Sequence, residues 1–462
     1  MTLSHVTAKN SNPSISTTEI VNALQNQINN INQRSKQALF SELELELHQC
    51  FAEVERQCMK KLLENYDWDM PHFKDTHNQR YFRSSRNNKR YMTLAGEVTI
   101  ERSLYRTERN GPTYCPLELN GGLIEGFWTP QAARQAMHLV SQLTPEEVET
   151  IFKEFGLMSP SKSSLDRLPK KLSEQWESKR LEMQQCLEEQ YKIPAEAVLC
   201  GISLDGVLIP TRYTRVIGSD SRWAEASCGT VSFFDGVGQL LGTRYVARMP
   251  EHKKKSLKQQ LSLHIASIQE QRPDIEFIKI ADGARDNWTF LEGEVRQGEC
   301  VLDFYHASEH LHKAIASLYS KNSHCLIKPF HKYRDILLNH PEGVNKIINH
   351  LKYQAKKHPK NKILKTEITY FSRHKKHCDY ARLKNENKPI GSGIVESACK
   401  QVVQMRLKRS GQHWLDKGGQ AILTFRSILL SKQFDTAWNE VKKLYHKPIE
   451  MPSNIVKFIG KN

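Results

Sequence analysis

No apolar run in this chain reaches the ~20 residues that a membrane-spanning helix requires, and the lead from Met1 to Thr18 is polar, rich in Ser, Thr and Asn, with no signal-peptide core. Paired cysteines are missing as well. The ten cysteines stand at 50, 58, 115, 186, 200, 228, 300, 325, 378 and 399, with no C-x-x-C pair and no Cys/His spacing typical of zinc. A membrane span, a disulfide framework and a sequence-legible zinc motif are thereby excluded. The expectation is a chain with reduced thiols that stays in the cytoplasm of the cell that makes it.

Acidic charge is the third shortage. Against 67 Lys and Arg stand 51 Asp and Glu, a formal net charge of +16, and the pI is near 9.3. Clustered cations gain free energy by releasing counterions from phosphates, so the balance points to an anionic polymer as partner, against the plainer reading of a generally basic surface. The excess is local: residues 346–410 hold 17 Lys or Arg and only Glu367, Asp379, Glu386 and Glu396 as acids. What remains is ordinary for a water-exposed protein, 39% hydrophobic and 26% charged over 462 residues, enough for two to four domains with a real core.

Past a lead expected to be disordered (1–18), residues 19–85 read as N-terminal helices. Ile20, Leu24, Ile28 and Ile31, then Leu39, Leu43, Leu45, Phe51 and Val54, recur at helical spacing, a stripe expected to pack on the chain's own body rather than on a partner chain. Residues 86–128 read as a small β module, with Arg90–Leu94 and Val98–Arg102 flanking Ala95-Gly96-Glu97 as a hairpin. The stretch 129–195 is helix-turn-helix-like. Thr129-Pro130 opens one helix, Thr144-Pro145-Glu146-Glu147 opens a second that Gly156 ends, and a third begins at Ser159-Pro160 and stops at Pro169. That order sets Lys162, Ser163, Ser164 and Arg167 near the start of a helix suited to the DNA major groove; an ordinary helical hairpin inside a bundle has the same pattern. Residues 172–192 read as a charged connecting helix.

Strands dominate next. Val198–Ser203, Val207–Tyr213, Ala226–Phe234 and Leu240–Ala247 are followed by a helix over roughly 253–270, a strand ending at Asp282, a helix from about 285, a strand Cys300–Phe304 and a helix from about 306. Antiparallel strands, a helix, then strand, helix, strand is the order of an RNase H-like fold, in which the first and fourth strands are neighbours. The expected core runs over 196–320 and 390–435, split by a Lys/His-rich helical insertion at 321–389 and followed by a C-terminal tail at 436–462. The fold class is thus a mixed α+β and α/β multidomain chain.

Three acids stand out within that core. Asp205 and Asp282 end short β-branched runs, and Glu396 lies one turn into a helical pattern opened by Gly391-Ser392-Gly393. Two strand-borne aspartates and a helix-borne glutamate are what a two-metal phosphoryl-transfer site needs, because hard divalent cations take carboxylate oxygens and rigid elements hold them in place. Each acid alone has a duller reading. Asp205-Gly206 and Asp282-Gly283 are good turn signals, and Glu396 is placed to pair with Lys400 four residues on.

Over roughly 90–430 the sequence resembles the bacterial insertion-sequence DDE transposases of the ISKra type. The resemblance is carried by Ser203-Leu204-Asp205-Gly206-Val207, by Asp282-Gly283-Ala284 with Trp288, by Asp303-Phe304-Tyr305-His306 with Glu309-His310-Leu311, and by Gly391 to Glu396 through Lys400 to Arg406-Leu407-Lys408-Arg409-Ser410-Gly411-Gln412-His413-Trp414. It implies a core in which Asp205, Asp282 and Glu396 hold two Mg²⁺ or Mn²⁺ ions. It also marks Asp303 and His306 as a supporting D-x-x-H pair, for which an N-capping Asp and a satisfied core His are the rival reading. Relatives often carry cysteine pairs in the small β module, where this chain has Thr107 and a lone Cys115, so zinc is not expected there.

Lys400, Arg406, Lys408 and Arg409 are expected to grip phosphates, with Trp414 stacking on a base or else buried in the core, and Trp288 packing. The expected activity is binding of an element's terminal inverted repeats, metal-dependent DNA cleavage and strand transfer into target DNA by a homodimer or higher oligomer, nucleoid-associated in a bacterial cytoplasm. Two alternatives stand: an RNase H-like nuclease or resolvase without strand transfer, and a helix-turn-helix DNA-binding protein without catalysis.

Overall fold

The computed structural model describes residues 17–34, 38–156, 158–213, 222–295, 297–319, 326–391 and 393–450. The lead up to residue 16, Cys325, Ser392 and the end of the expected tail (451–462) lie outside the described residues. The chain divides into two compact units, one of residues 1–136, 144–165 and 442–462, the other of 137–143 and 166–441. It is a mixed α/β protein with a helical N-terminus, and among the described residues no helix is long and apolar enough to cross a membrane.

In the first unit, helices Thr17–Arg34 and Phe40–Glu64 precede a three-stranded antiparallel sheet of β1 (His72–Lys74), β2 (Arg80–Thr93) and β3 (Gly96–Arg106). The β2–β3 hairpin turns through Leu94 and Ala95. Gly96 supplies a φ of 105° that a side chain would resist, and the Thr93 hydroxyl donates to its carbonyl at 2.8 Å. Tyr91, Val98 and Ile100 share one buried face and pack with Leu63, Cys115 and Leu117. Helix Pro145–Phe155 has the reciprocal Thr144–Glu147 capping box and ends on left-handed Gly156 at φ 72°.

The next helix departs from expectation. It runs Lys162–Ser178, straight through Pro169. A helix-interior proline costs about 3 kcal/mol, but Leu165, Leu168, Leu172 and Trp176 form a buried stripe that continues across it and outweighs the lost hydrogen bond. The expected connecting helix at 172–192 is therefore the end of this helix followed by a separate one, Arg180–Gln190.

The second unit is built on a five-stranded sheet of β4 (Leu199–Pro210), β5 (Trp223–Phe234), β6 (Leu240–Arg248), β7 (Glu276–Ala281) and β8 (Glu299–Leu302), in the order β6-β5-β4-β7-β8. The first three are antiparallel, and β7 and β8 continue the sheet parallel to β4, so the first and fourth strands are neighbours as the sequence implies. Residues 198–203 and 207–213, read as two strands, form the single strand β4, paired with β5 from Leu199↔Phe234 to Pro210↔Trp223. Asp205-Gly206 is thus not a turn; a continuous partner strand overrides the local turn tendency of Asp-Gly.

Apolar residues cover both faces of the sheet. One face packs on helix Lys255–Gln271 through Leu257, Leu261 and Ile265, and the other on helix Phe304–Ala316 and the helical insertion. That insertion consists of helices Ile327–Asn339, Gly343–Lys357, Lys362–His374 and Tyr380–Asn385. The chain then returns to β4 and β5 through Gly393–Ala398, a π-helical stretch Cys399–Gln404 and the short turn Met405–Leu407. Helices Asp416–Leu430 and Phe434–Tyr445 follow, the second crossing the boundary drawn at 435, with Trp438 buried.

Candidate active site

Parallel pairing sets the acids in line. Ser203 pairs with Ile280 between β4 and β7, so two residues on Asp205 comes opposite Asp282; Ala281 pairs with Leu302 between β7 and β8, so the next step sets Asp282 opposite Asp303. Strands β7 and β8 end at this level while β4 runs on, which opens a crevice at their carboxyl ends, the usual place for a ligand in a parallel sheet.

Each carboxylate is oriented differently. Asp205 accepts the Gly206 amide on Oδ1 at 2.7 Å, and Asp282 accepts the Ala284 amide (3.1 Å) and Asn287 Nδ2 (3.0 Å) on its own Oδ1, so one oxygen of each is fixed by the protein. Burial, and next the Asp282 carboxylate, push Asp205 above the usual aspartate range against the pull of the Gly206 amide. Asp303 is fully buried and caps helix Phe304–Ala316: Oδ1 accepts the Tyr305 amide, and Oδ2 accepts the His306 amide and the His306 ring nitrogen Nδ1, the last at 2.5 Å. Both of its oxygens are engaged, so it orients rather than ligates.

His306 is the counter-charge. The Asp303 hydrogen bond and the surrounding Asp303, Asp205 and Asp282 charges raise its pKa to about 9 against a smaller burial penalty. A positive imidazole therefore faces the acids at neutral pH. Lys254, whose ammonium pairs with Glu225 Oε1 at 3.1 Å, adds a weaker positive influence on Asp205. It and Lys253 hold left-handed backbone, φ 54° and 52°, just before helix Lys255–Gln271.

Glu396 is exposed in the first turn of Gly393–Ala398. One turn later Cys399 Sγ lies 4.0 Å from Asp205 Oδ2, which registers this helix against the aspartate strand. The π-helical stretch beginning at Cys399 shifts the following residues relative to an ordinary helix, a device common at functional sites.

A wall of the site comes from the insertion, which the sequence did not reveal. Tyr370 packs over Gly283, where an added Cβ would meet its Cε2 at 2.6 Å, and its ring stacks on His310 at 3.6 Å. His310 Nδ1 in turn pairs with Glu367 Oε2 at 2.6 Å. Burial and the neighbouring His377 hold His374, beside Tyr370, down at about 4, so its ring is neutral.

The expected nucleic-acid contacts lie elsewhere on the chain and are mixed. Lys400 and Lys408 are exposed and Arg409 half-buried, with Lys408 Nζ 5.6 Å over the exposed Trp223 ring. Arg406 is 2% exposed; its guanidinium sits 5.3 Å from the Trp414 ring centre and reaches the Val140 carbonyl, so it packs rather than grips phosphate. Trp414 is half-buried and donates to the Leu407 carbonyl at 2.9 Å. Trp288 is buried as expected. Lys162, Ser163 and Arg167 are exposed on helix Lys162–Ser178, where Lys162 pairs with Glu146 at 2.7 Å, and Ser164 is half-buried against Ser161.

No family model and no curated protein matches the chain. Among solved structures it is similar to the Drosophila P element transposase strand transfer complex at 10% identity, over 72% of this chain and 85% of that chain, with a TM-score of 0.26. It is also similar to the Mos1 transposase paired-end complex with left transposon end at 13% identity, over 56% of this chain and 79% of that chain, with a TM-score of 0.15. At those TM-scores neither likeness adds to the geometry.

Proposed function

We propose that the chain is a DDE transposase of the insertion-sequence, ISKra-like kind, with an RNase H-like core interrupted by the helical insertion. One observation carries the reading: Asp205, within β4, stands level with Asp282 and Asp303 at the carboxyl ends of β7 and β8, with the helix of Glu396 seated beside Asp205. Like charges gathered in a half-buried crevice repel one another, and burial raises that cost; an arrangement of hard oxygen donors with this strain fits divalent cations. Asp205, Asp282 and Glu396 are the residues that would hold them.

When bound, two Mg²⁺ or Mn²⁺ ions would activate the attacking water or 3′-hydroxyl and stabilise the leaving oxygen. The chain's own residues do the rest. Asp303 fixes the ring of His306, whose positive charge and that of Lys254 draw a phosphate toward an otherwise anionic crevice. Lys400, Lys408 and Arg409, on the stretch after Glu396, bind the backbone of the element's end. Lys162, Ser163, Ser164 and Arg167 serve its recognition, in a protein that acts on DNA as a homodimer or larger assembly.

The test is incubation with a linear fragment ending in the element's inverted repeat and a supercoiled target, with Mg²⁺ or Mn²⁺. Nicked ends and joined products support the proposal. Nicking without joining favours a nuclease or resolvase; binding without nicking favours a non-catalytic DNA-binding protein.

A further inference from the structure

Away from the aspartates, Glu292, Cys300 and His377 bring one ligand atom each within 4.8 Å of one another. The three come from separate elements: helix Arg285–Glu294, the edge strand β8, and the turn that closes helix Lys362–His374. We propose that they form a zinc site that clamps the helical insertion to the edge of the sheet.

The donor set fits that ion. A thiolate, an imidazole and a carboxylate are the ligand types Zn²⁺ accepts, and three protein ligands leave a fourth position for water. Tetrahedral bonds of ~2.0–2.3 Å set ligand atoms ~3.3–3.8 Å apart, so small side-chain rotations close the site. His377 is prepared for it: Nδ1 is buried with no hydrogen-bond partner among the described residues, and burial disfavours the charged ring, leaving a lone pair to give. A cavity of about 260 Å³ lined by Cys300, His377 and Asp379 gives the ion access.

Charge balances too. Cys300 loses its thiol proton to solvent as its sulfur binds the ion, and with the Glu292 carboxylate the two negative ligands neutralise Zn²⁺. Lys279, whose ammonium donates to the Val295 carbonyl at 2.7 Å, is the cross-strand neighbour of Cys300, and its charge favours the thiolate against the burial that raises it. Sequence spacing hides the set, since the ligands are 8 and 77 residues apart and Cys300 and His377 lie far from any zinc-motif spacing. The site shares no residue with the proposed catalytic carboxylates, and its ligand set is softer than theirs.

The experiment uses the full chain in an Asp205→Asn/Glu396→Gln background, so that the catalytic crevice does not take the ion. After chelation, Zn²⁺ is returned, excess is removed by gel filtration, and bound metal is measured; Co²⁺ is used in parallel as an optical probe. One zinc per chain, one proton released per ion, and a sulfur-to-cobalt charge-transfer band are expected. Cys300→Ser should lose the band, and His377→Ala the retained ion. Glu292→Gln changes an exposed side chain and should fold, yet lose the rise in Tm that zinc gives its parent. Equal zinc retention with and without Cys300, no retention by the parent, or a cobalt spectrum lacking the sulfur band overturns the proposal.

Discussion

Cys399 Sγ lies 4.0 Å from Asp205 Oδ2, a contact across 194 residues that seats the Glu396 helix on the strand of the first aspartate. If this seat serves cation binding, Asp205→Asn, Asp282→Asn and Glu396→Gln should each cut metal-dependent nicking by more than the ~10–100-fold that an outer partner costs. Asp303→Asn, which touches the site through His306, should fall within that ~10–100-fold range. In chelator, Asp282→Asn should raise Tm by about 2 °C, because the repulsion of Asp205 is relieved, and should abolish the Tm rise on adding Mg²⁺. Nicking rates and thermal melts read both; a fully active Glu396→Gln protein would remove Glu396 from the site.

Tyr370 over Gly283 makes a second prediction. Gly283→Ala puts a methyl 2.6 Å from Tyr370 Cε2, so the ring must move, at about 1–3 kcal/mol, and with it the wall of the insertion beside Asp282. Activity should fall, and Tyr370→Leu placed in the same chain should restore part of both stability and activity. Tyr370→Phe alone should leave stability unchanged or higher, since its buried hydroxyl has no partner among the described residues. Urea melts with nicking assays on the four proteins decide whether the insertion shapes the site.

What the sequence made legible was local chemistry. The Thr144–Glu147 capping box, the left-handed Gly156, the β-branched runs and the strand-end position of Asp282 depend on residues within a few positions of each other. The adjacency of β4 and β7 followed from element order alone. Asp205-Gly206 misled because its two residues favour turns, and only the distant strand β5 holds them extended. Pro169 misled in the same way, with the buried stripe on either side deciding. Cys399, Tyr370, Lys254 and the burial of Arg406 were out of reach because packing, not spacing, brings them to their neighbours.

Glu188 gives the stability test. Arg244 holds it through two nitrogens at 2.6 and 2.5 Å and His264 Nδ1 lies 3.0 Å away, tying helix Arg180–Gln190 to β6 and to helix Lys255–Gln271. Burial works against the charged carboxyl, but His264 and Arg244 more than offset it and leave Glu188 well below its usual range. A depressed folded pKa contributes stability above the unfolded value of about 4.3 and loses it as pH falls through the folded one. Glu188→Ala, which strands Arg244 in the core, should cost about 3–5 kcal/mol at pH 7. Between roughly pH 4.5 and 2.5, Glu188→Gln should lose stability less steeply than the parent. Parallel slopes would show that the ion pair forms equally in the unfolded chain.

The cations beyond Glu396 separate binding from packing. Lys400 and Lys408 reach solvent, and Lys408 lies over Trp223. If they neutralise phosphates, each change to Ala should reduce by about 1 the slope of log affinity for end DNA against log salt, at little cost in Tm. Arg406→Ala should behave oppositely, because its guanidinium is buried against Trp414 and the Val140 carbonyl. It should lower Tm and leave the salt slope of the folded protein intact. Fluorescence anisotropy across a salt series reads the slopes; an Arg406→Ala slope that drops with Tm unchanged would put Arg406 on the DNA and require the helix after Glu396 to rearrange when DNA binds.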